Sequence, residues 1–284
     1  MAQVSARVAI VGGGEVGGLL AHVLARRNVA PEICLIDDNG RAAQGKTLDI
    51  SQAAPVEGFA SIVSGSADLI TIAGSTIVAI ADPFGSPARQ DDAAMLLLKR
   101  IRDLSPASLI VCAGAADCDL IGRAVRELHL PRTALLGSAP EALAGGVRAL
   151  AALELNSAPS EVSLSVLGIP PHHIVVPWEE ATAGGFSLAR LLTEPARRRF
   201  DGRVAGLWPP GPYALASAAA RVIDTLLRGS PRLLTCFVAP DDTAGVRARA
   251  AALPVRLGRA GVVDVAMPEL SVRERVRLEN AMLL

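Results

Sequence analysis

The sequence has little charge and almost no lysine. Charged residues make up 20% of its 284 residues, the formal net charge is zero, and Lys46 and Lys99 are the only lysines. Because nucleic acids and anionic membranes attract a concentrated positive field, this balance argues against both as partners. A high content of arginine and alanine with so few lysines is typical of a genomic composition bias. The arginines therefore do not by themselves predict a binding site.

Closely spaced cysteines and long apolar runs are also missing. Cys34, Cys112, Cys118 and Cys236 stand far apart, and none forms the Cys-x-x-Cys pair of a zinc site or redox dithiol. We expect no metal, and we expect buried, reduced thiols where Cys34 and Cys112 fall inside strand-like runs. No apolar run reaches the length of a membrane span, and the first predicted strand begins by Arg7, which leaves no room for a signal peptide. These features predict a soluble cytoplasmic protein.

The first half of the chain has a regular alternation of strands and helices. Strands are predicted at Arg7–Val11, Glu32–Ile36, Ser61–Val63, Thr76–Ala81, Ser108–Ala113 and Thr133–Leu136. Helices are predicted at Val16–Arg27, Arg41–Ala53, Asp91–Leu104 and Leu120–Leu128. This repeated β-α-β pattern predicts an α/β fold with a doubly wound parallel sheet of the Rossmann type.

The pattern changes after about residue 145. Helices are predicted at Glu141–Leu153, Tyr213–Leu227 and Ser271–Leu283. Between the first two we predict an alternating strand at Val162–Leu167 and a proline-rich loop at Gly168–Pro177. Leu233–Ala239 and Gly261–Met267 are predicted to form an antiparallel hairpin or meander. Ser271 and Glu274 have the spacing of a capping box. We therefore predict a Rossmann domain over residues 1–145 and an α+β domain over residues 146–284.

A glycine-rich turn, Gly12-Gly13-Gly14-Glu15-Val16-Gly17, joins the first strand to the first helix. Gly12 permits a tight turn, Gly14 lets the backbone approach a pyrophosphate, and Gly17 lets helix and strand pack closely. The helix N-terminus offers N–H groups and partial positive charge to the phosphates. Asp37 ends the next strand, twenty residues past Gly17. The spacing predicts a dinucleotide site, and the alternative is a structural glycine turn in a flavodoxin-like sheet.

The position of Asp37 also selects the cofactor. Its carboxylate is expected to accept hydrogen bonds from the adenine-ribose hydroxyls and to repel the 2′-phosphate of NADP. We therefore predict NAD, or its reduced form NADH, as the cofactor. The predicted cofactor-binding residues are Gly12, Gly13, Gly14, Glu15, Val16, Gly17 and Asp37.

Longer stretches resemble the lactate/malate dehydrogenase family, and most closely its malate dehydrogenase branch. The branch has a segment D…QGKALDI.Q..P..GF, matched here by Asp37, Gln44, Gly45, Lys46, Leu48, Asp49, Ile50, Gln52, Pro55, Gly58 and Phe59. The likeness continues through Ser163–Gly168 and GVVDVAMPELSVRERVRLENAM, and so spans almost the whole chain, whose end is several residues short. It implies a Rossmann domain for NAD, an α+β substrate domain, and a homodimer or homotetramer.

At the family's catalytic positions the sequence departs from the pattern. The positions of the family's two loop arginines are occupied by Phe84 and Gln90, and that of its asparagine by Ala115. The helix aspartate and arginine are replaced by Leu143 and Gly146. The position of the histidine falls on Pro170 or Pro171. Arg89 lies one position from the second loop arginine. Because loss of a catalytic acid and its orienting partner costs several orders of magnitude in rate, ordinary malate or lactate turnover is not expected.

Two functions therefore stay open. The chain is either an NAD-binding homologue that has lost 2-hydroxy-acid chemistry and now binds, senses or scaffolds, or a working NAD-dependent oxidoreductase with a rebuilt site. In the second hypothesis, His172 or His173 is the acid/base on a small carbonyl compound or 2-hydroxy acid. The alternative for these two histidines is a surface or structural pair.

Other notable residues receive structural predictions. Asp117 and Asp119 are expected at a helix start, with Asp119 as the N-cap. Glu141 and Arg148 are expected to be surface or interface groups, and Tyr213 is expected to pack in the core.

Overall fold

The N-terminal half alternates strand and helix in the predicted order. The computed structural model describes residues 6–86, 91–230, 232–240 and 249–283. The strands are β1 (Arg7–Val11), β2 (Glu32–Ile36), β3 (Ile62–Ser66), β4 (Ile77–Ile80), β5 (Leu109–Cys112) and β6 (Leu135–Gly137). The helices are α1 (Glu15–Arg26), α2 (Gly40–Glu57), α3 (Asp91–Leu104), α4 (Asp117–Glu127) and α5 (Ala139–Leu155).

These strands form one parallel sheet in the order β3-β2-β1-β4-β5-β6. β4 and β5 are apolar along their whole length, and β1 is apolar after Arg7, as expected for strands covered by helices on both faces of the sheet. Parallel neighbours also place the ends of β1, β2 and β4 at the same edge, where the glycine turn begins. The predicted α/β Rossmann fold is confirmed.

The second half contains shorter elements. Its strands are β7 (Val162–Ser163), β8 (Leu167–Ile169), β9 (His173–Val175), β10 (Thr182–Ala183), β11 (Phe186–Ser187), β12 (Leu233–Val238), β13 (Ala251–Gly258) and β14 (Gly261–Val265). Its helices are α6 (Leu188–Leu191), α7 (Glu194–Val204), α8 (Pro212–Arg228) and α9 (Val272–Leu283). Within the described ranges, no helix has both the length and the apolarity needed to cross a membrane.

Of the predicted hairpin or meander, the structure has the meander, which extends the parallel sheet with antiparallel strands. β12 pairs with β6 on one side and with β13 on the other, and β13 in turn pairs with β14 and β8. The meander therefore has a central strand that sequence reasoning missed, with Pro254 inside it. Val162–Leu167 is likewise not one strand, because β7 joins β10 in a small second sheet while β8 stays in the main one.

The buried apolar residues form two cores, and neither follows the predicted boundary at residue 145. The first surrounds the main sheet and includes α8, and the second includes Leu143, Val147, Trp178 and Phe200. The rings of Trp178 and Phe200 meet edge to face, with centroids 5.3 Å apart. Because α5 is one continuous helix, the proposed boundary at residue 145 lies inside it. All four cysteines are free and buried, as expected for Cys34 and Cys112.

A buried carboxylate ties α5 to the extended sheet. Glu141 is only 3% exposed, so its prediction as a surface group was wrong. Its Oε1 lies 2.7 Å from the Arg148 guanidinium and 3.7 Å from that of Arg221 on α8. Its Oε2 accepts the N–H of Thr235 on β12 at 3.0 Å. Tyr213 also differs from expectation: it is 71% exposed, because it sits on the outward face of the first turn of α8.

The predicted capping box at the start of α9 is present. The Ser271 N–H donates to Glu274 Oε2 at 2.9 Å, and the Glu274 N–H donates to Ser271 Oγ at 3.3 Å. Replacement Ser271→Ala should lower the free energy of unfolding by about 1 kcal/mol, because the helix loses this cap. Urea denaturation measures the change. The control is Ser217→Ala on exposed α8 surface, and an equal loss in both variants would contradict the capping role.

Candidate cofactor site

The glycine turn brings α1 very close to the strand ends. Gly12 has φ of 122°, and a Cβ built there would collide with the carbonyl oxygen of Ala81. A Cβ on Gly17 would collide with the carbonyl oxygen of Gly12. Only glycine fits either position, so the roles predicted for these two residues agree with the packing.

Asp37 lies beside the turn and is 2% exposed. Its Oδ2 accepts the N–H of Gly13 at 2.7 Å and that of Phe84 at 2.9 Å, while Oδ1 accepts the N–H of Asn39 at 2.8 Å. These N–H groups stabilise the carboxylate in a buried position. The structure thus brings Asp37 and the glycine turn together, as the sequence predicts for an NAD site.

Asp82, two residues after the end of β4, is the residue of this site that sequence reasoning missed. Its Oδ2 accepts the Glu15 N–H at 2.7 Å and its Oδ1 accepts the Gly17 N–H at 3.2 Å. Its backbone oxygen accepts the Gly14 N–H at 2.8 Å. The carboxylate therefore caps the N-terminus of α1, where partial positive charge favours an anion. The sequence feature that could have pointed to Asp82 is its place as an acidic residue after a buried strand.

The two residues after Asp82 continue across the turn. The Phe84 ring lies 5.5 Å from Lys46 Nζ, measured to the ring centroid, and Nζ also donates to the carbonyl oxygen of Gly14. Phe84 is the position that the resemblance gives to the first loop arginine. Arg89 and Gln90, the candidates for the second, lie outside the described residues.

A dinucleotide fits this site in part. The close-packed glycine backbone, the first N–H groups of α1 and the carboxylate of Asp37 are the groups that hold a pyrophosphate and an adenine ribose. The side chain of Asp82 does not fit, because it bonds two of the N–H groups that face a pyrophosphate and adds a like charge. The site is therefore built for NAD but carries its own anion.

A small cavity of about 160 Å³ adjoins the site at the ends of β4 and β5. Asp82, Ala115 and Asp117 are among its lining residues. Asp117 Oδ2 accepts the Gly114 N–H at 2.7 Å, and burial raises the pKa of this carboxyl to about 6, against the lowering effect of that hydrogen bond. Asp117 begins α4 as predicted, but Asp119 lies within the first turn, so its prediction as N-cap was wrong.

His172 and His173 lie at the hairpin between β8 and β9. His173 pairs with Ile169, and both imidazole-bearing residues are exposed. In the order of the main sheet, β9 is the last strand beyond β13 and β8, whereas the glycine turn follows β1 near the other end. Their catalytic role stays a prediction.

The helix positions of the family's aspartate and arginine lie in apolar packing. Leu143 is 1% exposed and belongs to the second core. A Cβ built on Gly146 would lie 3.3 Å from Leu207 Cδ1. This part of α5 therefore packs against apolar side chains of the second half of the chain.

Comparison with known proteins agrees with the architecture. Residues 6–89 match the profile described as lactate/malate dehydrogenase, NAD binding domain. Malate dehydrogenase of Dehalococcoides mccartyi is 28% identical over 96% of this chain and 94% of its own length. The enzyme of Thermomicrobium roseum is 28% identical over 97% of this chain and 94% of its own length.

Solved structures have the same fold. Malate dehydrogenase from Salinibacter ruber superposes with a TM-score of 0.86 at 25% identity, covering 97% of this chain and 93% of its own. Lactate dehydrogenase from Cryptosporidium parvum has a TM-score of 0.87 at 22% identity, covering 98% and 95%.

The fold and the glycine turn define a dinucleotide-binding α/β protein whose N-terminal domain is of the NAD-binding type. Over residues 6–89 it is similar to the NAD-binding domain of lactate/malate dehydrogenases, and over almost its full length it is similar to malate dehydrogenases.

The pKa of Asp117 leads to a pH-dependent stability. An unfolded aspartate has a pKa of about 3.9, so between that value and about 6 the folded protein keeps a proton that the unfolded chain releases. The stability contributed by this group therefore falls as pH rises through that range. The Asp117→Asn variant lacks this titrating group and so does not lose this stability. The difference in melting temperature, variant minus wild type, should therefore increase as the pH is raised from 5 to 7.5.

Thermal unfolding across the pH range measures this difference. The matched control is Asp119→Asn, two residues away on exposed surface of α4, for which the difference from wild type should stay flat. A constant difference for Asp117→Asn would refute the raised pKa.

Proposed function

We propose that this chain is an NAD-binding member of the lactate/malate dehydrogenase family that has lost 2-hydroxy-acid dehydrogenase chemistry and acts in binding, sensing or scaffolding. The observation that carries the proposal is the burial of Leu143 in an apolar core, at the position that the resemblance gives to the catalytic aspartate. A leucine cannot orient a proton-donating histidine.

The groups for cofactor binding are in place. The α1 N–H groups would face the pyrophosphate, and Asp37 would accept the hydroxyls of the adenine ribose. Bound NAD supplies hydride-transfer chemistry. The chain's own contribution, on this proposal, is to bind and orient the dinucleotide.

The alternative is an active NAD-dependent oxidoreductase in which His172 or His173 is the acid/base. A general base must come within hydrogen-bond reach of the proton that it moves. Both histidines are exposed on the β8–β9 hairpin, and the described residues provide no hydrogen bond or ion pair that would orient either imidazole. For that reason we favour the first proposal.

We also propose a cytoplasmic homodimer or homotetramer. Four buried free cysteines are compatible with a reducing compartment. Leu48 and Val56 on α2 and Tyr213 on α8 are exposed apolar or aromatic side chains that a subunit interface would cover. Light scattering on the purified protein tests the assembly, and a monomer at all concentrations would contradict it.

NADH binding without turnover is the expected outcome in solution. Calorimetric titration should give saturable binding of NADH, and binding of NADPH should be weaker by at least about tenfold because of the charge on Asp37. NADH oxidation should be absent with a panel of keto acids and neutral carbonyl compounds. Oxidation that disappears in His172→Ala or His173→Ala would establish the alternative, and absence of NADH binding would overturn both hypotheses.

A further inference from the structure

We propose that Asp82, Pro83 and Phe84 form an internal substitute for the dinucleotide, and that Asp82 sets the cofactor affinity because NAD binds only after these residues leave the glycine turn. We call them the covering segment. The inference rests on the proposed NAD binding, and it adds that the closed site competes with its own ligand.

Asp82 occupies the N–H groups that would bind the pyrophosphate. The Asp82 carboxylate accepts the N–H groups of Glu15 and Gly17 at 2.7 and 3.2 Å. A Cβ built on Gly14 would collide with the same carboxylate, so this side chain fills the space left by the missing Cβ of glycine. A pyrophosphate approaching these groups meets a negative charge that already uses them. The two anions therefore exclude each other.

The covering segment also contacts the ribose-binding group. Asp37 is the predicted acceptor for the ribose hydroxyls, and in this structure its Oδ2 accepts the N–H of Phe84 at 2.9 Å. One short segment thus bonds to both the anion-binding and the ribose-binding groups. Because the two contacts come from residues only two positions apart, withdrawal of the segment would release them together.

Further contacts hold the covering segment against the glycine turn. The Asp82 backbone oxygen accepts the Gly14 N–H at 2.8 Å, and Lys46 lies over the Phe84 ring while it donates to the Gly14 carbonyl. These contacts favour the closed arrangement. A ligand that binds only the open arrangement has its apparent affinity reduced by the open fraction, so weakening the closed state should tighten binding.

The test compares NADH affinity in wild type, Asp82→Gly, Asp82→Asn and Asp103→Asn by calorimetric titration. Asp82→Gly removes the carboxylate and should tighten binding by at least about tenfold. Asp82→Asn keeps an oxygen acceptor but loses the charge, so a smaller gain is expected. Asp103→Asn removes an exposed charge on α3, which contacts Arg102, and should leave the affinity unchanged.

A second measurement does not depend on the cofactor. Without NADH, Asp82→Gly should melt about 2–4 °C below wild type, because α1 loses its cap. Amide hydrogen exchange at Glu15 and Gly17 should be faster in that variant. With saturating NADH the order of melting temperatures should reverse, because the stronger binding then outweighs the lost cap.

The outcomes separate this inference from the proposed function. Tighter NADH binding by Asp82→Gly or Asp82→Asn, including binding only by these variants, supports the inference. Equal affinity in all four proteins overturns it and leaves NAD binding intact. Absence of NADH binding in all four overturns both. If Asp82→Gly fails to fold, Asp82→Asn decides the question through the same titration.

Discussion

The N–H groups in the first turn of α1 have no partner within their own helix and must find acceptors elsewhere. In this structure Asp82 meets that requirement from the end of β4, with its side chain and its backbone oxygen. Two residues further on, the Phe84 N–H donates to Asp37, so the same short segment contacts both parts of the site. A cofactor that needs the same N–H groups competes with the fold itself for a limited number of donors.

The glycine turn and the region around α5 differ in chemical character. The glycine turn and Asp37 suit NAD, whereas Leu143 and Gly146 on α5 pack against apolar side chains of the second half. The second half is nevertheless part of the architecture, since α8 packs in the first core and β12 extends the main sheet. Glu141 strengthens this connection through Arg148, Arg221 and Thr235. The second half thus contributes directly to the stability of the main sheet.

Local pattern was sufficient to predict much of the fold. The apolar runs of β1, β2, β4 and β5, the glycine turn with Asp37, and the capping box at Ser271 follow from residues close together in sequence. β13 was missed because Pro254 weakens its strand pattern and its pairing depends on β12 and β14. Asp82 and Glu141 were missed because their partners lie far away: 67 residues separate Asp82 from Glu15, and 94 separate Glu141 from Thr235.

The contact between Gly17 and the Gly12 carbonyl also bears on how such sequences diverge. A side chain at residue 17 would collide with backbone, which cannot move aside without separating α1 from β1. Selection for folding alone therefore preserves this glycine in a lineage that no longer uses any cofactor. The surroundings of Gly14 differ, because the obstacle there includes the side chain of Asp82, which can be replaced. The glycine motif can consequently remain in a sequence after cofactor binding is lost. The residue that faces the turn from the end of β4, here Asp82, is more informative about cofactor binding.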